Sequence, residues 1–369
     1  MRILLFGEYS NLFNCIKDGL KALGHEVYLV SDGNSYRNYD SDFRYDVKFP
    51  IKRAKHLIEI ANIFLHYKKI VGYDVVMIID PVLFSRYVWP NKLVFSFLAK
   101  HNKLSYVCGC GLYPLSYEYW YTRPETKYYH FCKGYFEGKP RGAKLNIYPN
   151  KPLIEWEKEL YSKITGVIPI WYEYAEPYRF LSNLKPTIRI PIPIDKYEYK
   201  PNVPHNGKIT FFHGLTRPCN GGKFIIEAFD RLREKYKDTV DFVAAGGLPF
   251  NEYMELMNRV NVLIDDANSN SFSMNVLYAM QKGIVCMGGA EPVGNAELGY
   301  EDCPVVNIDN NVDHICAAIE DVIAKKDELE EWGLRSRKFV EKYHNHIDIA
   351  KQYEKIFADD LKRQNVSNL

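Results

Sequence analysis

The chain has 369 residues, of which 47% are hydrophobic and 15% aromatic, and its net charge is +2. That length suggests two ordinary domains, and the composition can fill two cores. No apolar run approaches the roughly 20 residues of a membrane-spanning helix, and Met1–Gly7 is too short for a signal peptide and reads as a first buried strand. The charge is unevenly divided. Residues 1–195 hold 27 Lys/Arg and 19 Asp/Glu, a balance of +8, and the remainder holds 21 and 27, a balance of −6. A basic first half suits phosphorylated substrates or an anionic bilayer, unless the division is incidental and solvated. Of the eight cysteines only Cys108 and Cys110 lie close together. Without a second Cys/His pair this is weak evidence for zinc, and the set reads as reduced thiols of a cytosolic protein.

A strand is predicted over 2–6, then a turn at Gly7-Glu8-Tyr9-Ser10-Asn11 containing a capping residue. Leu12, Phe13, Ile16, Leu20 and Leu23 recur at helical spacing, and Glu26–Ser31 forms the next strand. This β-α-β unit implies a parallel sheet with a right-handed crossover. The turn lacks the three glycines of a dinucleotide fingerprint. Helices over about 53–70 and 91–101 precede strands at 75–79 and 105–108. Residues 109–149, rich in Tyr, Gly and Pro, read as a long folded loop. A helix over 155–163, a strand over 166–169 and a short helix over 174–180 follow. Ile188–Asp195 is an extended, proline-punctuated exit that ends the first domain at 195.

The α/β pattern restarts with a strand over 209–212 and the loop Gly214-Leu215-Thr216-Arg217-Pro218. Helix 224–236, strand 240–244 and helix 251–259 come next. The apolar run 260–264 then enters the small-residue loop Asp265–Ser273 and a helix starting near Ser273 and Asn275. A strand, a small-residue loop and a helix N-terminus together offer backbone N–H groups to an anion. Strand 284–287 and helices at 312–326, 328–343 and 347–362 complete the chain.

Two places in this half and the exit strand that leads into it, with Gly24-His25-Glu26-Val27 in the first half, resemble group 1 (family 4) retaining glycosyltransferases of the GT-B fold. Gly214–Pro218 with Gly221-Gly222-Lys223 is similar to the loop whose Arg and Lys hold the donor diphosphate. Asn270–Tyr278 with Ala279-Met280 and Gly283 is similar to the Glu-x7-Glu segment. Ile188–Asp195 resembles the interdomain strand. The resemblance implies two Rossmann-like α/β domains facing across a cleft: 1–195 for the acceptor and 196–345 for the nucleotide sugar, with a C-terminal helix, 346–369, returning to the first. Asn270 and Tyr278 stand where the family has its two carboxylates, and Asn220 where it usually has a Lys.

The activity implied is transfer of a hexose from a nucleotide-diphosphate sugar to a saccharide or lipid-linked acceptor, with retention, in surface polysaccharide or glycolipid synthesis. No cofactor or metal is required. Arg217, Lys223 and Asn270 are the expected catalytic groups. Gly214, Ser271, Ser273, Met274, Asn275 and Tyr278 are expected on the donor, with the backbone N–H groups of 273–275 on its diphosphate. Asp265-Asp266 reads as a strand-end brace rather than a metal ligand. Tyr9, Ser10 and Asn11 lie at a strand's carboxyl end, where open α/β sheets place ligands, and are expected on the acceptor side. Tyr113, Tyr117, Tyr119 and Trp120 either stack on sugars or pack the 109–149 region, and His101 and His130 are candidates for a first-domain donor contact. Lys52, Arg53, Lys55, Lys68 and Lys69 flank an apolar helical stretch, which is either a membrane-docking face or an ordinary crossover helix. Cytoplasmic location, with peripheral contact at the inner membrane face, is the matching expectation, and no nucleic acid is expected as a partner. The missing carboxylates leave two alternatives: a non-catalytic nucleotide-sugar-binding scaffold, and a nucleotide-sugar epimerase.

Overall fold

The computed structural model describes residues 1–34, 38–49, 52–84, 87–136, 150–215, 217–247 and 250–367. The chain forms two compact units. The first comprises Met1–Tyr119, Pro140–Pro193 and His346–Leu369, and the second Trp120–Lys139 and Ile194–Asn345.

The first unit is built on six parallel strands: β1 (Arg2–Phe6), β2 (Glu26–Ser31), β3 (Phe43–Arg44), β4 (Val75–Ile78), β5 (Leu104–Gly109) and β6 (Gly166–Pro169). Their order is β3-β2-β1-β4-β5-β6. Ile3–Phe6 and Val75–Ile78 are buried throughout, as central parallel strands covered on both faces must be. The order reverses between β1 and β4, so the carboxyl ends of those two strands flank the crevice in which open sheets bind ligands. Gly7 leaves β1 at φ 94, where a side chain would meet Ile79 at 2.1 Å.

The helix that follows, Leu12–Ala22, buries Leu12, Phe13, Ile16 and Leu20. The cap comes from within the predicted turn, though not from the residue at the N-cap position. Asn11 holds the N-cap position in a left-handed conformation, its side-chain amide turned to the Cys15 thiol rather than to the helix N–H groups. Glu8 reaches round instead, accepting from the N–H groups of Phe13 (3.4 Å) and Asn14 (2.9 Å). Burial outweighs these bonds and raises its pKa to about 7. On its other side this helix packs on the C-terminal helix, His346–Ser367, through Gly19, where a Cβ would lie 2.3 Å from the His346 carbonyl oxygen. The predicted return of the last helix to the first unit is therefore present.

Two helices, Pro114–Tyr121 and Lys127–Tyr135, replace the long loop predicted over 109–149, of which 137–149 lie outside the described residues. Their inward faces are aromatic. Trp120 meets Tyr128 edge to face, and Tyr128 stacks on Phe131. Tyr-rich helices lack the aliphatic periodicity that marks a helix in sequence.

The second sheet is also parallel, with β7 (Ile209–Gly214), β8 (Val240–Ala245), β9 (Val262–Ile264), β10 (Val285–Gly288) and β11 (Val306–Asn307) in the order β11-β10-β9-β7-β8. Its switch point lies between β7 and β9. Phe211, Val262, Ile264 and Val285 pack with Ile225 and Phe229 of the Gly222–Arg233 helix and Ile315 of the Val312–Ala324 helix. At the entry, Asn202 and Asn261 exchange hydrogen bonds of 2.9 and 2.7 Å, and Asn261 accepts from the Thr210 N–H at 2.9 Å. The two-residue edge strands β3 and β11 are too short to leave a period in the sequence.

Gly19→Val should overpack the helix contact and cost about 1–3 kcal/mol, read as a lower urea midpoint; an unchanged midpoint would show that the contact yields freely. Glu8 provides a pH test. Its folded pKa lies above its ordinary 4.5, so its contribution is complete below that value and is lost as pH rises through about 7. Glu8→Gln keeps the acceptor oxygen without the charge. Relative to wild type it should gain on the order of 2–3 kcal/mol between pH 5 and 8, and parallel urea midpoints across that window would refute this.

Candidate functional site

Because every strand of the second sheet runs the same way, the loops after β7, β8, β9, β10 and β11 all emerge at one edge. After β7, the Leu215 N–H donates to the Ala245 carbonyl at 2.8 Å. Thr216 lies outside the described residues. Arg217 is exposed with extended backbone, and its guanidinium forms no ion pair among the described residues. A 3₁₀ turn, Pro218–Asn220, then leads to Gly221 at φ 75. Gly221 is the N-cap of the Gly222–Arg233 helix, which has neither a side-chain cap nor an acidic residue in its first turn. The Phe224 N–H donates to the Gly221 carbonyl at 3.0 Å, while the N–H groups of Gly222 and exposed Lys223 meet no side-chain cap, a setting that suits an anion.

The helix predicted to offer this terminus, Met274–Gln281, is closed instead. Ser273 accepts from the Asn275 N–H at 3.2 Å and donates to Asp265 at 2.6 Å. The expected free N–H run over 273–275 is therefore broken by its own cap, with a carboxylate beside it. Burial raises the Asp265 carboxyl above its ordinary value, while the Ser273 hydroxyl, His213 and Arg217 pull it down. Asp266 accepts from the Asn268 N–H at 2.7 Å. Both aspartates act as loop braces, as read from the sequence.

The rest of this loop is folded inward. Asn270 and Ser271 are buried at 8% and 5% exposure. The Asn270 carbonyl accepts from the Glu291 N–H, and Gly294 fits closely against both residues. The two lie within the fold of the unit rather than on its open surface, because short polar side chains let the loop settle on Gly289 and Gly294. Met274 is likewise buried. Asn275 is exposed, taking a bond from the Tyr253 hydroxyl, and Tyr278 is partly exposed. Lys196 lies 4.6 Å above the Tyr278 ring, with its ammonium 3.5 Å from the hydroxyl. Arg337 fixes that neighbourhood by donating to the carbonyls of Ile194, Tyr197 and Gln281 at 2.7–2.8 Å.

The loop after β9 also sets the position of the open helix. The Ala267 N–H donates to the Asn220 carbonyl, and the Asn268 amide to the Cys219 carbonyl at 2.7 Å. His213 is buried and neutral, burial holding its pKa below the usual range. Its Nδ1–H donates to the Ile264 carbonyl at 2.9 Å, which turns Nε2 toward Gly222, where a Cβ would come within 2.7 Å.

The aromatic helix Lys127–Tyr135 belongs to this unit and packs on the Pro218–Asn220 turn, with Gly134 against Cys219. Lys127, nearly buried, donates to Glu291 at 2.9 Å and to the Ile308 carbonyl. Exposed His130 has its pKa lowered by partial burial and by Lys133 and Lys223. Arg217, Lys223 and Lys133 give this edge a positive character, which together with burial disfavours charge on His130. Lys127, Lys196 and Arg337 come from distant parts of the chain, and no local motif marks them, whereas His130 is a candidate by its order in the sequence.

In the first unit Tyr9, Ser10 and Asn11 are partly exposed beside the switch point. The Tyr9 hydroxyl donates to Asp80 at the end of β4, and the Ser10 N–H donates to Asn34. Asp80 is buried, which raises its pKa to about 6 against the bonds from Tyr9 and the Val82 N–H. Tyr113, Tyr117 and Trp120 are buried and therefore pack rather than stack on a ligand, and Tyr119 donates to Glu176. His101 ends the helix that leads into β5, which puts it at the amino edge, opposite the ligand edge. A groove of about 540 Å³ lined by Met1, His25, Glu354 and Lys355 also lies at the amino edge, before β1 and β2. Among the described residues no group of three or more His, Cys, Asp or Glu is placed to hold a metal ion.

No protein-family model matches the sequence, and no curated protein matches it. Solved structures do. Sucrose-phosphate synthase from Thermosynechococcus elongatus shares 15% identity over the whole of both chains with a TM-score of 0.64. Anabaena HepE, solved in complex with UDP and glucose, shares 11% over 97% of this chain and 100% of its own, with a TM-score of 0.62. TarM shares 13% with a TM-score of 0.53 over 81% of this chain and 58% of its own. At these identities the likeness concerns the fold, and the fold is GT-B.

Proposed function

We propose that the protein is a glycosyltransferase that moves a hexose from a nucleotide-diphosphate sugar to a saccharide or lipid-linked acceptor, in surface polysaccharide or glycolipid synthesis. The observation that carries this reading is the uncapped helix terminus at Gly221-Gly222, flanked by Arg217 and Lys223, at the carboxyl edge of the second sheet. Two parallels support it. HepE, of similar fold, was solved with UDP and glucose bound, and the loop sequence resembles the donor loop of retaining GT-B enzymes.

In this reading the diphosphate lies on the N–H groups of the first turn, with the Arg217 fork and the Lys223 ammonium on its oxygens. Those groups are fixed before substrate arrives, so they favour the charge that builds on the departing diphosphate. They supply positive charge without a divalent ion, and the proposed reaction is metal-independent, with retention as the family resemblance implies. Gly214 admits the diphosphate close to the strand end. Asn275 and Tyr278, with Lys196, are proposed to meet the nucleoside. Ser273 acts through its cap. Tyr9, Ser10 and Asn11 are proposed to meet the acceptor.

One observation favours a second reading, a nucleotide-sugar-binding protein without transfer. Asn270, standing where the family has a sugar-binding carboxylate, is buried in its own loop. Incubation with UDP-sugars, with and without oligosaccharide acceptors, separates the two. Nucleotide release that depends on acceptor supports transfer, binding without turnover supports the second reading, and a changed sugar without acceptor indicates an epimerase. Arg217→Ala should weaken UDP binding by about 1.5–3 kcal/mol in calorimetry. Unchanged affinity would remove Arg217 from the site.

A further inference from the structure

We propose that the paired outer helices of the first unit, Lys52–Leu65 and Val88–His101, form a docking face for an anionic lipid surface. The sequence singled out only the first helix. The structure joins the second to it, since Phe64 and Phe97 meet edge to face at 5.1 Å. Both helices lead into parallel neighbouring strands, β4 and β5, so they run in the same direction.

Their outward residues are not those of ordinary crossover helices. Leu57 is 52% exposed and Leu65 80%, and on the second helix Trp89 and Leu93, one turn apart, are 56% and 47% exposed. Tyr67 and Tyr87, which flank the helices, are also exposed. The side chains of Lys52 and Arg53, and the whole of Arg86, lie outside the described residues.

Charge selects the occupant. Residues 47–70 and 82–104 contain ten Lys and Arg and one carboxylate, Glu59, in a chain whose total balance is +2. Glu59 is buried, so it presents little negative charge outward. Lys55, Lys92 and Lys103 are paired, with Glu59, Glu159 and Asp74, whereas Lys68, Lys69 and Lys100 are exposed and form no ion pair among the described residues. A second copy applied through a twofold axis would bring like charge onto like. A nucleic acid would satisfy the lysines but leave Leu57, Leu65 and Leu93 facing phosphate. An anionic bilayer satisfies both sets, with lysines at the headgroups and Trp and Leu in the boundary region. This inference does not depend on the donor site.

The test is sedimentation of the full chain with vesicles of phosphatidylcholine alone and of phosphatidylcholine mixed with phosphatidylglycerol. Binding is expected only to the mixed vesicles, falling with salt. K68E/K69E and, separately, W89A/L93A should each lower partitioning by about tenfold or more. Both variants alter exposed side chains, and an unchanged circular dichroism spectrum together with an unchanged urea midpoint verifies their fold. Trp89 emission should shift to the blue on the mixed vesicles, and W89F should remove that shift. The proposal is overturned by absent binding, by equal binding to both vesicles, or by variants that bind as wild type. It is also overturned if W89A/L93A dissolves a dimer in sedimentation velocity, or if the face binds duplex DNA in a way that W89A/L93A leaves intact.

Discussion

At Gly221 the backbone stands at φ 75, and a Cβ there would press on Ala267 at 3.0 Å; at Gly222 it would reach the ring of His213 at 2.7 Å. The absence of two side chains therefore lets a helix begin directly against the ends of β7 and β9. Any larger residue would push that first turn away from the switch point of the sheet. Its N–H groups would then face solvent, where water competes with an anion at little cost. The neighbouring parts serve the same placement. Asn220 and Cys219 are held by Ala267 and Asn268, His213 is turned by Ile264, and the Lys127–Tyr135 helix closes on the turn through Gly134.

Two of the helix termini at this edge, those after β7 and β9, differ in how they are closed. Met274–Gln281 carries its own cap, the Asn275 N–H bonded to Ser273 and the Ser273 hydroxyl to Asp265. Gly222–Arg233 has no such partner and is surrounded by cations. In the first unit the same contrast appears inside a single turn, since the helix after β1 is filled by the buried carboxyl of Glu8. That leaves Tyr9, whose phenol burial and Asp80 keep protonated, and Asp80, raised by burial to about 6, as the chemistry presented at the β1–β4 crevice. Such a place suits hydroxyl groups better than phosphate.

Much of the fold is legible in the sequence because parallel sheets write themselves as short apolar runs bounded by glycine. The β1–helix–β2 unit, the restart at Ile209 and the returning C-terminal helix are all of this kind. The two aromatic helices at 114–135 are not, since Tyr and Trp bury their rings without aliphatic spacing. Neither are β3 and β11, which exist only because a neighbouring strand is already in place. At the proposed site, the loop 214–223 and Arg217 are read from local residues. The closure of Met274–Gln281 is not, because Ser273 reads equally as a ligand contact and as a cap, and the Asp265 bond that settles it spans eight residues. Nor are Lys127, Lys196 and Arg337, whose partners lie far along the chain.

The most direct measurement is amide hydrogen exchange, followed by mass spectrometry, of the full chain with and without a UDP-sugar. Slower exchange concentrated in 214–224, with the Glu8-capped turn at 7–14 unchanged, is the predicted result. Protection at 7–14 or at 273–276 with 214–224 unaltered would contradict the placement of the donor on the open helix terminus.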